Sequence, residues 1–513
     1  MTLYEQCHEW LEQKQFKPIL ESIEALPEAE HSFELDAVYA QALAALANPD
    51  QEEGASKLER VIELGQTHAE ALATSIPFLW TVGYAHYALG NFGEAQRLLE
   101  RAITLIEESG ETEGQRLEQA KEMVRLATAE MLNPELDVDD TFRVKVAAMW
   151  KAFAAREAEW RATLFDEEAY QKSAQAMLDE VSDVLHMALA DIGLEISVNP
   201  IEHRPEIVFV GEENLVLLHA LRAALSAAPE SITEHWKLTL GRAPLAANST
   251  LTLAEYELDI ALTDVRVWVE RVQRAGRELV NLRLYHPQLA SLALREDETA
   301  LLEWLTAELA ERAVGELVYV TWLGEVTLAD QDTMARREDC TLETLLEKLT
   351  TLGINANPND WQLLDVPSFY SVSEPVQYQD KERWEDHRFD IVEGVSSCLP
   401  FHTFYMQNDA RVMDSLTRSG IVAGFMLWDM NVVSDEQAQK QLADLRRWLR
   451  KRLDEQAVSI IGSARGTEKG YLDLLIWDYP AFLDALDSLG DEMKLELAGF
   501  HTFYRRCLTL YVI

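Results

Sequence analysis

The sequence predicts a multidomain chain, α followed by α+β: a helical N-terminal part, a mixed middle part and two related C-terminal modules. Three observations predict it. The segment LERVIEL at 58–64 recurs as LERAITL at 99–105, 41 residues on, and each copy closes a two-helix pattern. From about residue 193 onward, short apolar runs with strand-like spacing alternate with helical patterns. The pentapeptide FHTFY stands at 401–405 and again at 500–504, a spacing of 99, between similar flanks.

Length and composition set the outer bounds. At 513 residues the chain exceeds what a single hydrophobic core supports, and 48% hydrophobic residues are ample for several. The formal charge of −44, from 45 basic against 89 acidic residues, repels a phosphate backbone and argues against nucleic-acid binding. Cys7, Cys340, Cys398 and Cys507 have no ligand or redox spacing, which suits reduced, packed thiols. The longest apolar runs, such as Ile421 to Trp428, are far shorter than a membrane span, and no leader pattern precedes Tyr4. The expected location is cytoplasmic, without a membrane.

In the N-terminal part, Gly83, Gly90, Phe92, Ala95, Leu99 and Ala102 fall at fixed spacings between Ile76 and Leu105. Small residues at 83 and 95 let two helices cross closely, Gly90 relieves the turn, and Phe92 with Leu99 fills the seam. Weaker copies run from Phe33 to Leu64 and, in half, from Phe16 to Leu26, with Gln115 to Leu132 as a capping helix. This pattern resembles the tetratricopeptide repeat, although Glu107 replaces the family's closing proline and His86 its first-helix tyrosine. The resemblance implies a groove lined by the first helix of each repeat, where Trp80, Tyr84 and Tyr87, with Tyr39 in the weaker copy, would bind a partner polypeptide. Aromatic side chains with a polar tip are the type enriched at recognition hot spots. Core filling is the competing explanation, since the same i, i+4, i+7 stripe serves both. Helix 76–89 has no lysine or arginine to hold an acidic tail, so apolar or basic segments fit better.

The middle part, 135–313, opens on a helix from Asp140 to Leu164 with Phe142, Val146, Met149, Trp150, Phe153 and Trp160 at helical spacing. A second helix covers Glu168–Leu189. Strands are expected near Ile196–Ile201, Glu206–Val210, Trp236–Leu240, Val265–Val272 and Leu279–Tyr285, with helices at Glu213–Ala227 and Thr299–Ala313. His186, His203, His219 and His235 form no ligand-spaced pair, so no metal is expected.

For the last module, 418–513, the order read is strand Ile421–Trp428, a helix capped by Ser434 and Gln437, strands Val458–Gly462 and Tyr471–Trp477, a helix from Pro480, and strand Leu495–Tyr504. For the earlier module, 314–409, it is strand Leu317–Leu328, a leucine-faced helix stopped by Gly353, strands Trp361–Val366 and Phe369–Gln379, helix Glu382–Val395, and strand Leu399–Met406. Both βαββαβ orders resemble the ferredoxin-like fold. Strand alternation would set His402 and Phe404, like His501 and Phe503, on one face, as a shared module surface or as duplicated packing. The basic run at Arg446–Arg452 suits docking to acidic groups.

No phosphate loop, dinucleotide fingerprint, nucleophile elbow or metalloprotease helix is present, so neither catalysis nor a cofactor is expected. The leading expectation for 1–134 and its modules is a non-catalytic scaffold or regulator that binds a protein partner. The alternatives are a small-metabolite sensor, by analogy with paired modules such as the ACT domains, and an acidic inhibitor of a basic enzyme.

Overall fold

The computed structural model describes residues 2–27, 31–49, 51–109, 115–132, 139–189, 192–199, 204–253, 258–274, 276–293, 299–372, 375, 387–430, 434–493, 495, 497–505 and 507–512. A helical N-terminal part is followed by a sheet-containing region. The chain forms two compact units. One is Met1–Asp139 with Phe500–Tyr511, and the other is Asp140–Gly499 with Val512–Ile513.

The first unit holds helices α1 (Leu3–Glu12), α2 (Phe16–Glu24), α3 (Phe33–Leu46), α4 (Glu52–Thr67), α5 (Ala69–Leu72), α6 (Ile76–Ala88), α7 (Phe92–Glu108) and α8 (Gln115–Leu132). Local chemistry starts and stops them. A capping box joins Thr2 and Glu5, Ser32 Oγ accepts from the Leu35 amide, and Pro77 opens α6. Successive helices pack, α3 on α4, α4 on α6, α6 on α7 and α7 on α8, around Leu43, Leu58, Val61, Phe78 and Val82. At Gly83 a Cβ would stand 3.0 Å from Leu99 Cγ, so the close crossing of α6 and α7 requires the small residue. The chain's end also belongs here: the Leu508 amide donates to the Met131 carbonyl at 3.2 Å.

One charge lies inside this helical core. Asp36, 4% exposed, accepts from His31 Nδ1 at 2.9 Å and His68 Nε2 at 2.8 Å, pinning the start of α3 to the end of α4. Replacing it with alanine strips both rings of their buried acceptor, and we expect a loss of about 2 kcal/mol in urea unfolding of this unit. A loss under about 0.5 kcal/mol would show the contacts to be ornamental.

The second unit opens with the long helix Phe142–Phe165, as its periodicity predicts, packed against Glu167–Leu185. Phe153 meets the rings of Trp150, Trp160 and Trp236 edge-on at 5.2 to 5.6 Å. Strands Gly193–Asn199, Arg204–Val210 and Lys237–Leu240 make a small sheet, antiparallel then parallel, with helix Leu215–Ser226 as the crossover. A four-stranded sheet runs Leu323–Leu328, Arg277–Tyr285, Arg266–Arg274, Cys340–Thr341. In the third sheet the order is Ser368–Tyr370, Ile391–Ser396, Val458–Gly466, Lys469–Ile476, Val422–Asp429, and then the strand that starts at Ala498.

Segment 418–499 keeps the strand and helix order read from its sequence, including the Ser434-capped helix Asp435–Arg452 and the helix Tyr479–Asp487. Segment 314–409 does not. Glu316–Trp322 is a helix before the strand Leu323–Leu328, Trp361–Asp365 is a 3-10 turn capped by Asp360, and Ile391–Ser396 is a strand where a helix was expected. Its strands are shared between the second and third sheets, so it builds no sheet of its own. The expected strand over 373–374 and 376–379 and helix over 382–386 fall outside the described residues.

The two FHTFY copies differ in conformation. Residues 401–405 lie in helix Pro400–Gln407, whereas 500–502 lie in strand Ala498–Thr502. Pro400 explains the difference, because a proline in the first turn gives up no helical hydrogen bond and presets φ. Helical spacing then buries Phe401 and Tyr405 on one face, and Asn408, left-handed at φ 54°, ends the turn. The second copy follows Gly499 and is buried on both strand faces, which the alternation argument did not anticipate.

Candidate functional site

Trp80, Tyr84 and Tyr87 sit on α6 and are each half-buried. Tyr84 packs against the helical core, and Tyr87 meets Phe92 edge-on at 5.6 Å, its hydroxyl pKa raised by burial. Tyr39 is a correction to the groove set. It is 8% exposed, and its hydroxyl donates to Glu24 Oε1 at 3.1 Å, its pKa pushed up to about 12 by burial and by that carboxylate.

The histidine and aromatic positions of FHTFY do not make a common surface. His501 and Phe503 are buried, and His501 Nδ1 donates to the Thr502 carbonyl at 2.5 Å. His402 and Phe404 are half-buried on their helix, with the His402 ring lying on Tyr370 at 4.3 Å. Burial, then the nearby Arg388, lowers the His402 pKa to about 3.

What the sequence did not disclose is a buried ionic network around Arg388, which adopts a left-handed backbone at φ 68°. Its guanidinium holds Asp473 at 2.5 and 3.2 Å and donates to the Tyr370 hydroxyl at 2.6 Å, between the rings of Phe425 and Tyr471. The Tyr471 hydroxyl accepts from the Arg388 amide and donates to Asp390 Oδ1 at 2.5 Å. Asp390 also accepts from the amides of Glu468 and Lys469, and the Lys469 ammonium meets His387 Nδ1 at 3.4 Å. Arg388 and Lys469 balance Asp390 and Asp473 in charge, and all four are at most 2% exposed. Burial disfavours the Arg388 cation, but Asp473 outweighs it and keeps the group charged; burial lowers the Lys469 pKa and raises the Cys398 thiol's. A neutral, closed set of this kind fixes geometry, tying the Lys469–Ile476 strand to the turn at 387–390.

Asp473 reaches across Gly462, where a Cβ would lie 2.8 Å from its Oδ2 and 2.7 Å from the Val395 carbonyl. On Gly462's own strand opens a cleft of about 760 Å³. Helix Leu215–Ser226 supplies His219 and Arg222 to it, and helix Asp435–Arg452 supplies Arg446 and Arg450. Trp361, Leu449 and Ile460 are among its apolar walls. Arg222 binds Asp365 at 2.8 Å and donates to His219 Nδ1 at 3.2 Å. A guanidinium only donates, so Nδ1 is the bare nitrogen and Nε2 carries the proton. That Nε2–H is buried, beside the Ser397 backbone, and makes no hydrogen bond of ordinary geometry. Burial lowers the His219 pKa to about 3, with Arg222 adding to the effect.

Of the other histidines considered as ligands, His203 lies outside the described residues, and among those described no three His, Cys, Asp or Glu side chains converge on a metal position. Nor is any described helix long and apolar enough to cross a membrane. A scan of protein-family models, a search of curated proteins and a search of solved structures each found no match for the chain.

Proposed function

We propose that the chain is a non-catalytic interaction scaffold or regulator, and that its helical unit, a tetratricopeptide-like array, takes up a segment of a partner polypeptide. The observation that carries this reading is the row Trp80, Tyr84 and Tyr87, half-buried on one helix and so neither fully spent on the core nor fully solvated. Such residues supply contact area at little cost in rotamer entropy. Helix α6 bears no cationic side chain, and the first 133 residues hold 24 acidic against 9 basic groups, so a basic or apolar segment is the complementary partner. The C-terminal segment 418–499 is, on this reading, a ferredoxin-like module offering a second surface, supported by its antiparallel strands 458–466, 469–476 and 422–429 in that order.

The test compares intact protein with Trp80→Ala and Tyr87→Ala. Polypeptides captured by the intact chain, identified by mass spectrometry and remade as labelled peptides, are expected to bind each variant at least about thirtyfold more weakly, the effect of removing a hot-spot aromatic. Melting curves matching those of the parent keep folding out of the comparison. Equal affinity for both variants removes the groove from the account.

A further inference from the structure

We propose that the cleft between helices Leu215–Ser226 and Asp435–Arg452 binds a small organic phosphate, a phosphomonoester with an apolar body, whose phosphate lies between Arg446 and Arg450. The inference is independent of polypeptide binding by the helical unit. Arg446 and Arg450 are four residues apart and therefore share one helix face, where two like charges repel unless an anion lies between them. Each lines the cleft. Arg446 donates to Ser463 Oγ at 3.0 Å while its buried Nε–H has no acceptor. Arg450 is exposed and, among the described residues, makes no ion pair or hydrogen bond. In a chain of net charge −44 with nearly two carboxylates for every cation, two facing arginines without a carboxylate are an unusual vacancy.

The carboxylates that do line the cleft are committed elsewhere or solvated. Asp365 holds Arg222, Asp454 lies 3.5 Å from Arg143, and Glu455 is exposed. Two uncompensated guanidinium groups match the charge of a phosphomonoester, about −1.5 to −2 at neutral pH, better than that of a carboxylate or sulfate ester. His219 adds the second, independent signal. It is 1% exposed, with its Nε2–H unspent at the cleft wall, ready to donate to a ligand oxygen. Trp361, Leu449 and Ile460 provide apolar wall for the ester group, and about 760 Å³ is room for a metabolite-sized molecule.

Phenyl phosphate, phenyl sulfate and benzyl alcohol, titrated into the full chain and followed by calorimetry or ligand-observed NMR, separate the contributions. Phenyl phosphate is expected to bind one to one, at least about tenfold more tightly than phenyl sulfate, with benzyl alcohol weakest. Arg450→Gln, an exposed change that leaves folding intact, is expected to weaken phenyl phosphate about tenfold, as is Arg446→Gln. Arg447→Gln, next along the helix and paired with Asp444, should bind like the parent. No binding of phenyl phosphate up to about 10 mM, equal binding of the sulfate, or unchanged affinity in Arg450→Gln overturns the proposal.

Discussion

Arg388→Met and Asp473→Leu are each expected to destabilise the second unit by about 3–5 kcal/mol, because each leaves its former partner charged and dry. The contact is bidentate, both groups are essentially unexposed, and neither can swing to water without breaking the Tyr370 and Tyr471 hydrogen bonds. Hydrogen exchange of the Leu472–Leu475 amides reports on this strand alone, and on the order of a thousandfold acceleration is expected in either single variant. The double variant is expected to lose far less than the sum, since two apolar side chains bury without a desolvation penalty. Acceleration below about tenfold in both single variants, or strict additivity in the double, would mean that the pair is not the strand's anchor.

That network also marks where the sequence stopped being legible. Arg388 and Asp390 are some eighty positions from Lys469 and Asp473, so no local pattern joins them, and the polar members look like ordinary charges in an acidic chain. One signal was present. Asp473 interrupts the apolar run Tyr471–Trp477, and a charge in the middle of a buried strand must have a partner. Asp36, inside FELDAVYA, carries the same message for the helical unit. By contrast, the helix from Phe142 and the elements of 418–499 were readable, because capping residues and apolar period agree there with the tertiary environment. The first FHTFY failed for a different reason: identical letters were read as identical conformation, when Pro400 and Gly499 before the two copies ask for opposite backbones. The arginines facing the cleft were seen as a basic run, but their orientation depends on a helix that the strands position, which no spacing rule supplies.

Acid should weaken the second unit earlier than its carboxylates alone would. His219 and His402 both have pKa values held down to about 3 by burial, reinforced by Arg222 and Arg388 respectively, against 6.5 when unfolded. For a base with a depressed folded pKa, stability is complete above pH 6.5 and falls as pH drops towards 3, because only the unfolded chain takes up the proton. At pH 5 each histidine has then removed about 2 kcal/mol, or about 4 kcal/mol together, from 1.5 pH units at about 1.36 kcal/mol each. Buried Glu311 and Glu316, whose pKa values are raised by burial, work in the opposite direction, so the comparison of variants isolates the histidines better than the parent's own profile. His219→Asn keeps an acceptor for Arg222, and His402→Phe keeps the ring against Tyr370. Urea unfolding of each variant at pH 7 and pH 5 is expected to show a drop smaller than the parent's by about 2 kcal/mol. A drop equal to the parent's in both would place these rings in contact with water and would take the buried His219 donor away from the cleft as well.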